Sequence, residues 1–259
     1  MFPGFGTVLN VATVLLGSTL GLLVGSRLPA RTRDTVTDAL GLVTLLIGAL
    51  SARQVTASEL SAVVGSSAPV LIVLGSLLVG GIIGSLADIE ARLEAFGGWL
   101  RGRLGGGARA GSDPGAGEGE QAARARFIEG FLTASLVFCV GPLTILGSLS
   151  DGLGLGAQQL ILKSVLDGFA SIAFAASLGV GVLASALAVA VIQGLLTLVG
   201  FGLGDFLSAA ELAAITATGG LLLLGVGLRL LQIRLLPVGN LLPALVVAPL
   251  LVGLVAALR

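Results

Sequence analysis

Long apolar runs separated by short polar clusters organise this chain from end to end. The pattern predicts eight spans, near residues 6–26, 37–52, 68–87, 128–149, 161–182, 184–204, 212–232 and 240–258. Most approach the length, roughly 20 residues with almost no charge, that a helix needs to cross the hydrocarbon core of a bilayer. The second is short, with "ALGLVTLLIGALSA" as its apolar core. Residues 164–204 carry only Asp167 and Gln193 as strongly polar interruptions. That is too long for one helix, so a division is expected at "GVGVLAS". The strict polar–apolar alternation of a membrane β-barrel strand is absent.

After the third span the pattern changes. In "LADIEARLEAFGGWLRGRL", Ile89, Leu93, Phe96, Leu100 and Leu104 fall on one helical face with arginines opposite and Trp99 beside the stripe. This predicts an amphipathic helix over 88–104, lying in the membrane interface. The following "GGGARAGSDPGAGEGEQ" holds too little apolar surface to order itself, so 105–123 is expected to be a flexible cytoplasmic linker within a single membrane domain, 1–259. The opening "MFPGFGTVLN" lacks the basic region of a cleaved signal and is expected to run into the first span.

Composition settles the class. Charged residues make up 11% of the chain, against about a quarter in a soluble domain, and mean hydropathy is +1.08. The fold expected is an all-α polytopic membrane protein. A formal net charge of zero argues against nucleic acid as a partner. With no histidine and one cysteine, Cys139, the chain lacks the means for Ser-His-Asp chemistry, His-ligated metal or an internal disulfide. No phosphate-binding Gly-x-x-x-x-Gly-Lys motif is present either. No enzyme activity, cofactor or metal is expected; the partners expected are membrane lipid, an ion or small solute, and a second copy of the chain.

Of the 14 Lys and Arg residues, all but Arg53, Lys163 and Arg259 fall in segments that follow odd-numbered spans. By the positive-inside rule that side is cytoplasmic and both termini lie outside.

Sliding the chain by 179 residues superposes Gly21 on Gly200, Gly25 on Gly204, Gly41 on Gly220, Gly48 on Gly227 and Thr37 on Thr216. Spans one to three then correspond to six to eight. The offset is five spans, an odd number, so the copies cross in opposite directions. Their loops agree: "GSRLPARTRDTV" carries three arginines, while "GDFLSAAELAAI" has none. Inverted repeats of this kind are common in secondary transporters, although an old duplication could equally serve a scaffold. Gly17, Gly21 and Gly25, with Gly80–Gly84 and Gly200–Gly204, are spaced for close helix packing in lipid.

Two places could carry chemistry. Within "FCVGPLT", Pro142 cannot donate to the Phe138 carbonyl, and Gly141 before it is pushed toward extended geometry. Broken backbone at membrane depth persists only where protein or a water-filled cavity satisfies it. Thr133, Ser135 and Thr144 are near enough to help; a plain proline kink is the alternative. Asp167, toward the outer part of the fifth span and four residues after Lys163, is an ionisable group inside the membrane, a functional candidate unless Lys163 carries it as an ion pair at the rim. Asn10, Gln193 and Asn240 are neutral polar residues in or beside spans, suited to interhelical hydrogen bonds or to ligand contact. Pro243 and Pro249 interrupt the eighth span. The candidate substrate-binding set is Asn10, Cys139, Gly141, Pro142, Lys163, Asp167, Gln193 and Asn240.

The segments "GTVLNVATVLLGSTLGLLVG", "DIEARLE", "FIEGFLTASLVFCVG", "KSVLDGFASIAFAASLGVGVLAS", "TGGLLLLGVGLRLL" and "VGNLLPAL" resemble, in order and spacing, the DUF554-type family of bacterial membrane proteins typified by YdfK and YqgA. The resemblance covers nearly the whole chain apart from 105–123. It implies a multi-pass protein of the bacterial inner membrane and carries over no activity. It also implies a small residue other than proline at position 142. Two functions stand: a transporter or channel for an ion or small solute, or a scaffold that organises a partner through the interfacial helix and linker.

Overall fold

The computed structural model of the chain describes residues 2–25, 29–104, 117–139, 142–154, 156–203 and 207–258; among these there is helix and no strand. In chain order the helices are α1 (Phe5–Gly25), α2 (Ala30–Ala52, closed by a 3-10 turn over Arg53–Thr56), α3 (Ser58–Val64), α4 (Ala68–Leu86), α5 (Ile89–Leu104) and α6 (Gly117–Cys139). They continue as α7 (Pro142–Gly152), α8 (Gln158–Leu178), α9 (Gly181–Leu203), α10 (Ala209–Leu230), α11 (Val238–Leu241) and α12 (Ala244–Ala257). Among the described residues seven stretches are long and apolar enough to cross a membrane, α11 and α12 together forming one of them, and α6 with α7 makes an eighth that is bent by 74°. Each expected span therefore has a counterpart.

The differences lie at boundaries. α8 starts at Gln158 rather than near 161 and ends at Leu178, where Gly179 takes φ 84° and donates its amide to the Ala175 carbonyl at 3.0 Å. Glycine adopts that conformation without steric cost, so the long apolar run folds back at the expected division. The earlier start places Asp167 at the midpoint of its helix, about 14 Å from the first turn, rather than toward the outer end. α6 begins at Gly117, inside the stretch expected to be linker; residues 105–116 lie outside the described residues. The short α3 was not anticipated. Its Leu60 and Val64 are buried with Ala210, Ala213, Ala214, Ala248 and Val252. α10 begins where a capping box forms: the Glu211 amide donates to Ser208 Oγ at 3.3 Å and the Ser208 amide to Glu211 Oε2 at 2.7 Å.

Small residues bring the helices together. α1 runs parallel to α8, Gly6 against Leu160, Gly17 against Gly168 and Ser171, Gly21 against Ile172 and Gly25 against Ala176. A Cβ at Gly17 or Gly21 would strike a backbone carbonyl of α8, which is why these positions carry glycine. α2 crosses α10 antiparallel, with Gly48 against Gly220 and Gly41 against Gly227. α10 is the central helix, with 72% of its span buried against 17% for that of α2. Leu46, Leu71 and Leu78 on α2 and α4 face outward, as lipid-facing side chains do.

One end of the bundle is fastened by Glu90. Its carboxylate accepts from Arg229 Nη1 at 2.6 Å and from the Gly239 amide at 2.5 Å, while its own amide donates to Asn240 Oδ1 at 2.8 Å. α5 is thereby tied to α10 and α11, and Phe96 on α5 meets Phe131 on α6.

Candidate functional site

Lys163 and Asp167 stand one turn apart on α8 and form an ion pair, Nζ to Oδ2 at 2.7 Å, with side chains 8% and 9% exposed. The pair is interior, not at the rim. From α1, Asn10 donates its Nδ2 to the same Oδ2 at 3.0 Å. Three of the expected residues, drawn from chain positions 157 apart, therefore meet at one carboxylate oxygen. The parallel packing of α1 on α8 through glycines is what brings them so close. A buried pair of this kind is costly to desolvate and is held by its hydrogen bonds.

A second acid lies nearby. Asp151, at the end of α7, is buried and accepts the Gly6 amide at 2.9 Å, at the N-terminus of α1 where the helix dipole favours negative charge. Sequence reasoning missed it because "GSLSDGLGLG" reads as the start of a loop. The signal available was the spacing of Thr144, Ser148 and Asp151, which lines one face of a short helix. Between α1 and α9, the Thr7 and Thr197 hydroxyls lie 3.0 Å apart.

The broken span is closed by a side chain. Thr144 Oγ1 donates to the Phe138 carbonyl at 3.1 Å, supplying the hydrogen bond that Pro142 cannot. Cys139, the last residue of α6, is buried in an apolar cluster with Val14, Phe138 and Phe174. A cavity of about 160 Å³ borders the break, lined by Cys139, Ile145, Leu223 and Leu245 with the hydroxyl residues Ser51 and Thr216. Gly141 lies outside the described residues, and Pro142 opens α7.

Gln193 is fully buried on α9, one turn from Thr197, and neither atom of its amide meets a partner. Asn240 stands apart from this group. It belongs to the Glu90 fastening, and the structure does not bring it to the Lys163–Asp167 pair. A cavity of about 690 Å³ opens among Asp34, Asp38, Arg126 and Glu129. It also touches Ser177, ten residues or about 15 Å along α8 from Asp167.

The helices and the interior ion pair define a multi-pass helical membrane protein with a polar centre inside its bundle. A model of the family described as "Protein of unknown function (DUF554)" matches residues 5–253, and the chain belongs to that family. Among relatives, the uncharacterised protein YqgA of Escherichia coli (strain K12) is 32% identical over 248 residues, 94% of each chain. The uncharacterised membrane protein YdfK of Bacillus subtilis (strain 168) is 26% identical over 253 residues, 98% of this chain and 97% of its own. No solved structure matches.

Proposed function

We propose that the protein is a transporter or channel for an ion or small solute, with its site at the Asn10–Lys163–Asp167 cluster. The observation that carries this reading is the ion pair at the midpoint of α8, bound by a polar side chain of a second helix and set beside a broken span. Ionisable groups at such depth mark ion and proton paths, and discontinuous helices line solute sites in secondary transporters.

The α2–α10 crossing supports an inverted repeat. Under the 179-residue offset Gly41 corresponds to Gly220 and Gly48 to Gly227, and the contacts pair Gly41 with Gly227 and Gly48 with Gly220. Each glycine thus meets the counterpart of the other, the exchange a two-fold axis between two copies produces. In this reading the protein lies in the bacterial inner membrane with both termini outside, α5 rests in the cytoplasmic interface, and the 690 Å³ cavity is the cytoplasmic approach. The chain acts without enzymatic chemistry or a cofactor, in contact with lipid and, where copies associate, with itself.

The test is electrical recording from proteoliposomes on a solid support, against a panel of ions, amino acids and other small solutes. A saturable current for one of them, lost in Asp167→Asn, is the expected result. A panel that stays silent in the folded protein favours the scaffold reading instead.

A further inference from the structure

Three polar side chains on the helices packed against α8 are fully enclosed and carry hydrogen-bonding atoms with no partner among the described residues: Asn10 Oδ1 on α1, Ser148 Oγ on α7, and Oε1 and Nε2 of Gln193 on α9. Asn10 is already fixed on Asp167. The Thr7–Thr197 contact sets α1 beside α9, and these helices run antiparallel, because α1 is parallel to α8 and α9 returns after a tight turn. One turn inward from that contact stand Asn10 on one helix and Gln193 on the other, each within the buried stripe of its helix. α7 crosses the same helices, with Asp151 on Gly6 and Gly152 on Thr197. Ser148 lies one turn before both, on the same face of α7.

We propose that these groups bind one monovalent inorganic cation, with Asn10 Oδ1, Gln193 Oε1 and Ser148 Oγ as neutral ligands and the negative charge that Asp151 adds to the Lys163–Asp167 pair as the counter-charge. The inference rests on the transport reading and narrows it from an ion or small solute to a cation. Charge gives the sign. Among the described residues the buried ionic groups here are Asp151, Asp167 and Lys163, one negative charge in excess. An anion would face both acids, and the only nearby ammonium among those residues is already engaged at Asp167. Ligand chemistry gives the class. Amide and hydroxyl oxygens suit hard cations, and buried oxygens left unmatched are costly, so an occupant that answers several of them at once is favoured. A divalent ion would call for more carboxylates, and no group of three or more His, Cys, Asp or Glu gathers among the described residues. Enclosure gives the size: Asn10, Ser148 and Gln193 are each 0% exposed, which suits a bare ion with at most a water. That water would accept from Gln193 Nε2.

The test uses the full-length protein in detergent. Thermal unfolding is measured in lithium, sodium, potassium and choline chlorides at one ionic strength, and binding of radiosodium and radiorubidium is measured by scintillation proximity. The expected result is a saturable rise in Tm with one alkali cation and none with choline, matched by saturable tracer binding that the same cation competes. Gln193→Leu and Ser148→Ala should each weaken that binding about tenfold or more, while Gln54→Ala, at an exposed position, leaves it unchanged. Should either variant fail to fold, tracer competition on the unaltered protein decides alone. No alkali-cation effect on Tm and no saturable tracer binding means that the cluster holds only water, and the inference falls. Cation binding without any current from proteoliposomes upholds the site and overturns transport. A solute current that persists in choline alone upholds transport and overturns the cation.

Discussion

Lys163 Nζ and Asp167 Oδ2 lie 2.7 Å apart at the middle of α8, and Asn10 is hydrogen-bonded to the same oxygen. Removing one partner leaves an uncompensated charge inside the bundle, whereas removing both leaves a packing defect and the unpaired, neutral Asn10 amide. Lys163→Met or Asp167→Leu alone should therefore cost about 3–5 kcal/mol of stability, and the double substitution should recover most of it. Thermal unfolding of the four proteins checks this as a double-mutant cycle. The double variant should be well folded yet carry no current, which separates a structural from a functional role for the pair.

The Thr144 hydroxyl takes over the Phe138 carbonyl that Pro142 strands. Thr144→Val keeps the shape of the side chain and removes the donor. It should lower stability by about 1–3 kcal/mol, the cost of an unpaired buried carbonyl, while Thr144→Ser should lose little. In a Pro142→Ala background an amide becomes available to Phe138, so Thr144→Val should then be nearly silent. Melting temperatures of the three single variants and of Pro142→Ala/Thr144→Val test the coupling. Equal losses from Thr144→Val in both backgrounds would show that the hydroxyl does not serve that carbonyl.

The spans were legible because membrane helices need long uncharged runs, and α8 and α9 were separable because Gly179 can take a positive φ. Direction was legible too: the parallel run of α1 with α8 and the antiparallel crossing of α2 with α10 both follow from the order of spans. What could not be read was contact across the chain. Nothing local to Asn10 says that it meets Asp167 rather than lipid, and nothing local to Asn240 says that it meets Glu90. Those partners are chosen by which glycine stripes pack, a property of the whole bundle. The short α3 escaped because seven residues give too little periodicity to separate helix from loop. Asp151 escaped because a helix that starts at a break, crosses others steeply and ends in glycines has the composition of a turn.

The glycines divide into those that are packed against backbone and those that are not. A Cβ on Gly48 or Gly220 would crowd the facing backbone of α10 or α2, and neither helix can yield without separating from the other. A Cβ on Gly202, in α9, would meet nothing within 4 Å. Gly220→Val and Gly48→Val should accordingly lose the folded protein in detergent, seen as aggregation on size exclusion. Gly202→Ala should be neutral or stabilising by about 0.5–1 kcal/mol, from reduced backbone entropy in a helix. If Gly220→Val eluted and melted like the unaltered protein, the close crossing of α2 and α10, and with it the proposed two-fold relation, would be wrong.

The linker separates the two functions that the sequence left open. A transport site at Asn10, Lys163 and Asp167 is built from α1 and α8, and the fastening of α5 runs through Glu90, Arg229, Gly239 and Asn240. None of these groups belongs to 105–116, so the transport reading asks nothing of the side chains there. Replacing that stretch with a Gly-Ser sequence of equal length keeps the connection while removing its charges and its Pro114. The exchange should leave Tm, cation binding and proteoliposome current unchanged. A scaffold acting through this segment should instead lose its partner and keep its fold. Cation binding and current that survive the exchange, but vanish in Asp167→Asn, would assign function to the interior of the bundle; the opposite pattern, with the phenotype of a deletion strain reproduced by the linker exchange alone, would assign it to the exchanged segment.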